Sequence, residues 1–426
     1  MYLGPSDGIK WPYYFITGSA GTGKSYMINL IKDMLDRRQS NYLLLAPTGV
    51  AAQNINGRTI HSELQILSNN GNFYTRAYSN RELTEQLKNI DTLIIDEGSM
   101  VSDQLFDFIS NIFASLHSNA IAFGGINTIV VGDLAQLPPV RGQPIFKASS
   151  WKLFYPLFLK TSQRQNNDPE FYNMLEEIRF NNISTETWNL LEQRASEYLT
   201  HPTVDTLLST THIVGFRESA QQINRMICNL LPVPNNKFLI SRASDLYGSE
   251  VWDISESKQI FKSKTNLPSS IRLQPGARVM YLNNSLIEHG ICNGTMGIIT
   301  DIDLTDQSVR VAFSVKGSII DIQIFKHTHY FEINGYNCQR TQFPIQNCFA
   351  STVHKTQGLT LSKVCLALDG GIFSSGQAYV ALSRCPNWNN IEISHLDRSA
   401  FITDPDVVLE YQRLENISRS HPNVFH

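Results

Sequence analysis

Gly18-Ser19-Ala20-Gly21-Thr22-Gly23-Lys24-Ser25 decides how the rest of the chain is read. The octet fits G-x-x-x-x-G-K-[ST] without a mismatch. Tyr13–Thr17 before it is apolar and aromatic and predicts a buried strand; Ser25–Leu35 after it carries apolar residues at helical spacing. The glycines therefore sit on a strand-to-helix turn. There, backbone N–H groups can curl round phosphate oxygens, and the helix N-terminus adds positive potential. Lys24 can reach β- and γ-phosphates, and the Ser25 hydroxyl can ligate Mg²⁺. The competing reading is a chance glycine-rich turn. At ordinary glycine usage a full match arises in roughly one in a hundred chains of this length, and the flanking strand and helix argue further against chance.

The 426 residues are enough for two to four domains, with 42% hydrophobic and 17% charged residues. A formal net charge of −3 excludes a basic nucleic-acid coat, so any nucleic-acid site must be a local groove. The six cysteines form no CxxC pair and read as reduced thiols of an intracellular protein rather than zinc or disulfide sites. No apolar run approaches membrane-spanning length, and the N-terminus has neither signal-peptide nor transit-peptide character.

Strands are expected at Tyr42–Ala46, Thr92–Glu97 and Thr128–Asp133, the last two ending in acids, with helices near Val50–Ile55 and Val101–Leu116. Strands alternating with helices predict a parallel α/β sheet that binds ligands at its carboxyl edge. The stretch from Leu64 to Ile90 is poorer in apolar residues and holds the turn Asn69-Asn70-Gly71-Asn72, which reads as a small excursion from that sheet. The sheet is expected to end near Leu159, and a helical region to run from Gln163 to Leu199. An α/β pattern restarts at Thr211, with a helix over Glu218–Leu230. From about Leu273 to Phe343 short alternating runs separated by Asn-Gly and Gly turns predict a small antiparallel barrel. The α/β pattern returns at Ile345 and the chain closes with a helix near Pro405–Leu414.

Three strand ends carry chemistry. Asp96-Glu97 suits an NTPase: the first acid holds Mg²⁺, the second orients and deprotonates the attacking water. Gln136, after Gly132-Asp133, can read the γ-phosphate or its water, while Asp133 is as readily a loop cap. Hydrolysis also needs positive charge at the transferring phosphate. Arg164 and Arg384 are the candidates, each a surface salt bridge if taken alone.

Together these residues resemble the PIF family of DNA helicases, in the RecD-like, 5′-to-3′ branch of superfamily 1. The matching stretches are Gly18–Ser25, Ala46–Ala52, Thr59–Ser62, Asp96–Met100, Phe123–Ile126, Gly132–Val140, Gln163–Gln165, Gly276–Met280, Asn293-Gly294, Ser351–Gly358 and Tyr379–Arg384. The resemblance spans nearly the whole chain. It implies two RecA-like P-loop NTPase motor domains with ATP between them. The first is expected over 1–162, with a wedge insertion at about 63–90; the second over 163–426, with an SH3-like β-barrel insertion at about 273–343. It implies Lys24, Glu97, Gln136, Arg164 and Arg384 as catalytic, Gly18–Ser25 as ATP-binding, and Ser25 with Asp96 as Mg²⁺ ligands. Lys355 and Gln357 would couple ATP to DNA; Thr48, Thr59, His61, His354 and Thr356 would line the strand groove. Hydroxyls and imidazoles suit phosphate contact and base stacking. Phe73 and Tyr74, beside the turn at 69–72, are wedge candidates, or rings that pin the excursion down.

The implied activity is ATP-dependent 5′-to-3′ movement on single-stranded DNA, with unwinding of duplex or fork DNA, by a monomeric motor in replication, repair, recombination or telomere maintenance. The expected location is intracellular, nuclear or mitochondrial in a eukaryote. Two rivals stay open: a DNA-binding recombination subunit with a vestigial ATPase, and a translocase that does not unwind. The chain also departs from the family. No Gln precedes the P-loop to read adenine, which implies truncation or relaxed base selectivity. Gly98 stands where an apolar residue is usual, which implies a looser loop. A long accessory tail, which would carry targeting information, is not expected.

Overall fold

The computed structural model describes residues 11–422 except 70–71, 199–202, 234–236, 249, 253–259, 262–263 and 316. By compactness the chain divides into two units. The first holds Met1–Tyr198, Thr356–Ser362 and Leu366–His426; the second holds Leu199–Lys355 and Lys363–Cys365.

The first unit is built on a six-stranded sheet. Its strands, in chain order, are β1 (Tyr13–Thr17), β2 (Tyr42–Ala46), β3 (Arg58–Thr59), then, outside this sheet, the hairpin β4 (Ile66–Asn69) and β5 (Asn72–Thr75), and finally β6 (Thr92–Ile95), β7 (Asn127–Gly132) and β8 (Phe154–Phe158). The sheet order is β3-β2-β6-β7-β1-β8, and every pairing is parallel. Continuous apolar runs such as Tyr-Leu-Leu-Leu-Ala in β2 are what a strand covered on both faces requires.

Alternation divides the two faces. Phe15, Leu43, Leu45, Leu93, Ile95 and Val130 join a core with the Asp103–Leu116 helix. Ile16, Leu44, Ala46, Ile94 and Val131 join a second core with Ile28 of the P-loop helix, Lys24–Arg37. The Asp103–Leu116 helix starts at Ser102, whose hydroxyl accepts from the Leu105 amide, and buries Leu105, Phe106, Ile109, Ile112, Phe113 and Leu116 on one stripe. An aromatic nucleus of Tyr13, Phe106, Phe123, Trp151 and Phe154 closes this layer. The register aligns Thr17 with Gly132 and Leu45 with Ile95. Gly18, Asp96 and Asp133 therefore all leave the sheet at one edge.

The helical region after β8 is two helices, Pro169–Arg179 and Thr185–Ser196, because Asn181-Asn182-Ile183 interrupts it with Asn181 in the left-handed region. The short Gln377–Leu382 helix and the closing Pro405–Ser420 helix also belong to the first unit.

In the second unit Thr211–Val214 pairs in parallel with Ala350–Thr352, and the Arg217–Leu230 helix follows. The antiparallel part is larger than expected from the sequence, beginning at Leu239 rather than near Leu273. Leu239–Arg242 pairs with Ser270–Leu273, and Ser244–Tyr247 opens a four-stranded sheet. A five-stranded sheet contains the runs at Arg278–Tyr281, Met296–Asp303, Ser308–Val315 and Ser318–Ile324. The early strands escaped notice because Leu239–Arg242 alternates only weakly.

Phe123-Gly124-Gly125-Ile126 shows why its glycines are there. Gly124 has φ 65, and a Cβ on it would lie 2.6 Å from the Phe113 carbonyl oxygen; one on Gly125 would meet nothing nearer than 3.8 Å. Gly124→Ala should therefore cost about 1–3 kcal/mol, from strain plus clash, and Gly125→Ala about 1 kcal/mol from strain alone. Equilibrium urea unfolding of the two variants checks the order.

Candidate nucleotide-binding site

The turn between β1 and the P-loop helix is fixed by backbone geometry. Gly21 and Gly23 both lie in the left-handed region, at φ 85 and 86. The Thr22 hydroxyl donates to the Ser19 carbonyl at 2.9 Å. The Lys24 ammonium donates to the Gly18 and Ser19 carbonyls, each at 2.8 Å, which holds it against the loop. Burial lowers its pKa, while Asp133 and Glu97 pull the other way. Ser25 is exposed in the first turn of the helix.

Asp96 follows β6 and is 5% exposed. Burial, then the neighbouring Glu97, push its carboxyl up to about 7, against the Glu97 amide and Lys24. Glu97 has φ 49 and ψ 46, and its Oε2 accepts from Gln357 Nε2 at 3.2 Å. The structure thus joins a residue expected to couple ATP to DNA directly to the expected general base. Gly98 does not loosen this loop. A Cβ there would lie 2.7 Å from Val130, and one on Gly132 would lie 2.9 Å from the Gly98 amide nitrogen. Two glycines let the loops after β6 and β7 touch backbone to backbone.

Arg164 and Arg384 both fall in the compact unit that holds the P-loop. The Gln163 and Arg164 amides donate to the Gly21 carbonyl at 2.7 and 3.1 Å. Arg164 Nη1 donates to the Ser383 carbonyl at 2.9 Å. Arg384 is 2% exposed and donates only to oxygens of its own neighbourhood: the Val380 carbonyl, the Leu359 carbonyl and the Ser383 hydroxyl. Burial, then the nearby Arg164, bring its pKa down to about 10. Neither guanidinium forms an ion pair with a carboxylate among the described residues. A half-buried and a buried guanidinium, both feeling the Glu97 carboxylate but neither ion-paired to it, leave positive charge open to an anion.

Sequence reasoning missed the buried network behind these groups. Asp133, fully buried, accepts from Arg179 Nε and Nη2 at 3.1 and 2.9 Å, from the Tyr411 hydroxyl at 2.9 Å and from the Tyr379 hydroxyl at 2.9 Å. Its loop-cap role also exists, a bond from the Ala135 amide at 3.2 Å, but is the lesser part. Gln136, 5% exposed, follows on the same turn, its amide donating to the Asp133 carbonyl. The sequence signal was an acid at a strand end; its partners lie 46 to 278 positions away.

With this geometry in hand the known proteins can be compared. The PIF1-like helicase family model matches residues 10–188. The ATP-dependent DNA helicase PIF1 of Homo sapiens is 30% identical over 415 residues, which is 95% of this chain and 62% of the human protein. The crystal structure of Pif1 helicase from Candida albicans matches with a TM-score of 0.77 and 27% identity, over 94% of this chain and 95% of that one. Over nearly its whole length the chain is similar to PIF1-like helicases. A Bacteroides Pif1 helicase in complex with ADP-AlF3 and ssDNA matches with a TM-score of 0.74 and 26% identity, over 96% of this chain and 94% of that one. The chain spans about three fifths of the length of the curated vertebrate relatives it matches.

The residues that the PIF-family resemblance assigned to a strand groove have mixed settings. Thr48 caps the Gly49–Asn54 helix through a bond from the Ala51 amide, and Thr59 caps Ile60–Glu63 through one from Ser62. His61 is exposed beside Thr59. His354 and Lys355 are half-buried in the second unit, where burial, and Arg217 as a lesser cause, lower the His354 pKa. Thr356 is 1% exposed. Among the described residues no cluster of three or more His, Cys, Asp or Glu forms a metal cage, and no helix is long and apolar enough to cross a membrane.

The two wedge candidates differ. Phe73 is half-buried and packs on Phe108 of the first core at 5.8 Å, while Tyr74 is 47% exposed. Asn70 and Gly71 of the turn lie outside the described residues. Phe73→Ala should cost about 1–3 kcal/mol of stability and Tyr74→Ala under about 0.5 kcal/mol. Thermal unfolding of the two single variants checks the contrast.

Proposed function

We propose that this protein is an ATP-dependent 5′-to-3′ DNA helicase and translocase. The observation that carries the reading is the pair Arg164 and Arg384, neither in an ion pair with a carboxylate among the described residues, in the unit that presents the P-loop. A transferring phosphoryl group supplies the negative charge such a pair lacks, and cations placed there stabilise its transition state. Similarity supports the rest: relatives are named ATP-dependent DNA helicases, and a neighbour was solved with ADP-AlF3 and ssDNA.

The residues take these roles. The Gly18–Gly23 turn presents backbone N–H groups to phosphate oxygens, apart from the Ala20 and Thr22 amides that bond Tyr379 and Ser19, and Lys24 adds charge at the β- and γ-phosphates. Glu97, held by Gln357, orients and deprotonates the attacking water. Gln136 reads the γ-phosphate. Ser25 and Asp96 would hold Mg²⁺, a hydroxyl and a carboxylate being the hard oxygen donors it takes; the ion would neutralise phosphate charge. The Gln357–Glu97 bond gives nucleotide state a path to the stretch 351–358, with Lys355 and Gln357 as couplers. Thr48, Thr59, His61 and His354 are the proposed strand-groove set. Two motor domains, about 1–162 and 163–426, would close on ATP and ratchet single-stranded DNA. Tyr74 is the better wedge ring, being exposed.

The test is ATP hydrolysis with and without single-stranded DNA, alongside unwinding of tailed duplexes of both polarities. Stimulation by DNA and unwinding from a 5′ tail support the proposal. Hydrolysis without DNA response favours the vestigial or unrelated-NTPase reading, and translocation without strand separation favours the non-unwinding motor.

Lys24→Ala should abolish DNA-stimulated hydrolysis with the circular dichroism spectrum unchanged, because the half-buried ammonium contributes charge rather than packing. Arg384→Ala should lower kcat by ~10³–10⁵ with ATP affinity changed far less, as for arginine fingers; steady-state kinetics and nucleotide titration separate the two effects.

A further inference from the structure

The Asp133 network reaches the P-loop itself. The Tyr379 hydroxyl donates to Asp133 Oδ2 at 2.9 Å and accepts from the Ala20 amide at 2.7 Å. The Tyr411 hydroxyl donates to Asp133 Oδ1, accepts from the Leu134 amide at 3.0 Å, and lies 2.8 Å from Thr17 Oγ1. One carboxylate therefore holds two phenols, and each phenol holds one side of the loop's entry: Thr17 before Gly18, and Ala20 after Ser19. Gly376, at the start of the Tyr379 helix, abuts the turn that carries Gln136. A Cβ on Gly376 would lie 2.5 Å from the Ala135 carbonyl oxygen and 2.7 Å from that of Gln136. The same short helix, Gln377–Leu382, leads straight into Ser383 and Arg384.

These contacts lie within one compact unit. All of their members are buried: Asp133 and Tyr379 are 0% and 1% exposed, Tyr411 4% and Arg179 7%. Burial opposes the Asp133 charge, but Arg179 and Lys24 hold its carboxyl below the usual range, so it stays an acceptor. A carboxylate that accepts both phenolic protons leaves only lone pairs facing the loop. Each phenol then presents an acceptor to a backbone amide, which fixes the direction of every bond in the chain Asp133–Tyr379–Ala20.

We propose that Asp133 and Tyr379 form a positioning relay, which sets the Ala20 peptide of the P-loop against the Gln136 turn and the Arg384 helix. Tyr379 is the pivot, touching the phosphate loop, the sensor turn and the finger-bearing helix at once. Neither residue touches the reacting atoms; both act through the groups they hold. The relay rests on the ATPase reading for its consequence in catalysis, but not for its geometry.

Tyr379→Phe removes only the hydroxyl and keeps the ring. Misplacing catalytic groups by about an ångström costs ~10²-fold in rate, so kcat of DNA-stimulated ATP hydrolysis should fall 10- to 100-fold with KM for ATP within about threefold. Amide exchange of the nucleotide-free P-loop peptide should accelerate at least tenfold, while that of the Asn127–Gly132 strand is unchanged. Tyr411→Phe, which holds Thr17 rather than a loop amide, should show the same directions with smaller effects, and serves if Tyr379→Phe does not fold. Unchanged exchange of the P-loop peptide overturns the relay. So does accelerated exchange throughout the unit, which marks general loosening, or kcat within twofold of wild type in an active enzyme. If the wild-type protein shows no hydrolysis but exchange accelerates locally, the relay stands and the ATPase reading fails.

Discussion

The buried ion pair between Asp133 and Arg179 is the constraint on which the site depends. Both side chains are withdrawn from water, at 0% and 8% exposed. Taking them there is expensive, and such pairs add little net stability; losing one partner, however, strands the other charge and costs about 3–5 kcal/mol. Arg179 is enclosed further by the rings of Phe180 and Tyr411, each 4.7 Å from its guanidinium carbon. The pair therefore acts as a geometric lock. It fixes the carboxylate, the carboxylate fixes the two phenols, and the phenols fix the loop that a phosphate must meet.

A second electrostatic feature balances the first. Arg164, half-buried, and Arg384, buried, form no ion pair with a carboxylate among the described residues, whereas Arg179 is paired to Asp133. Three guanidiniums near one loop thus divide into one that is neutralised and structural and two that are left for an incoming anion. Lys24 lies between these regimes, folded on carbonyls rather than on an acid. A site that neutralised all of its cations internally would have nothing to offer a phosphoryl group.

Much of this was legible in the sequence where the signal is local. The Gly18–Ser25 octet, the apolar strands and the acids at their ends obey short-range rules, and the parallel sheet followed from them. The helical region expected over 163–199 holds two helices, and Asn181-Asn182, a pair that favours the left-handed region, is the local mark of the break between them. The antiparallel strands from Leu239 are not legible locally because Leu239–Arg242 alternates only weakly and pairs with Ser270–Leu273 some way along the chain. The same holds for Asp133: a cap is a local reading, while Arg179, Tyr379 and Tyr411 reach it only through the tertiary fold. Phe73 and Tyr74 look alike in sequence, and only packing against Phe108 separates them.

The most direct test of the lock is a double-mutant cycle on stability, with Asp133→Asn, Arg179→Met and both together, measured by urea unfolding. If Asp133 and Arg179 neutralise one another inside the fold, Asp133→Asn strands a buried cation, and adding Arg179→Met should recover at least about 1–2 kcal/mol of the loss. Losses that simply add would contradict the account, since they would mean that neither charge depends on the other.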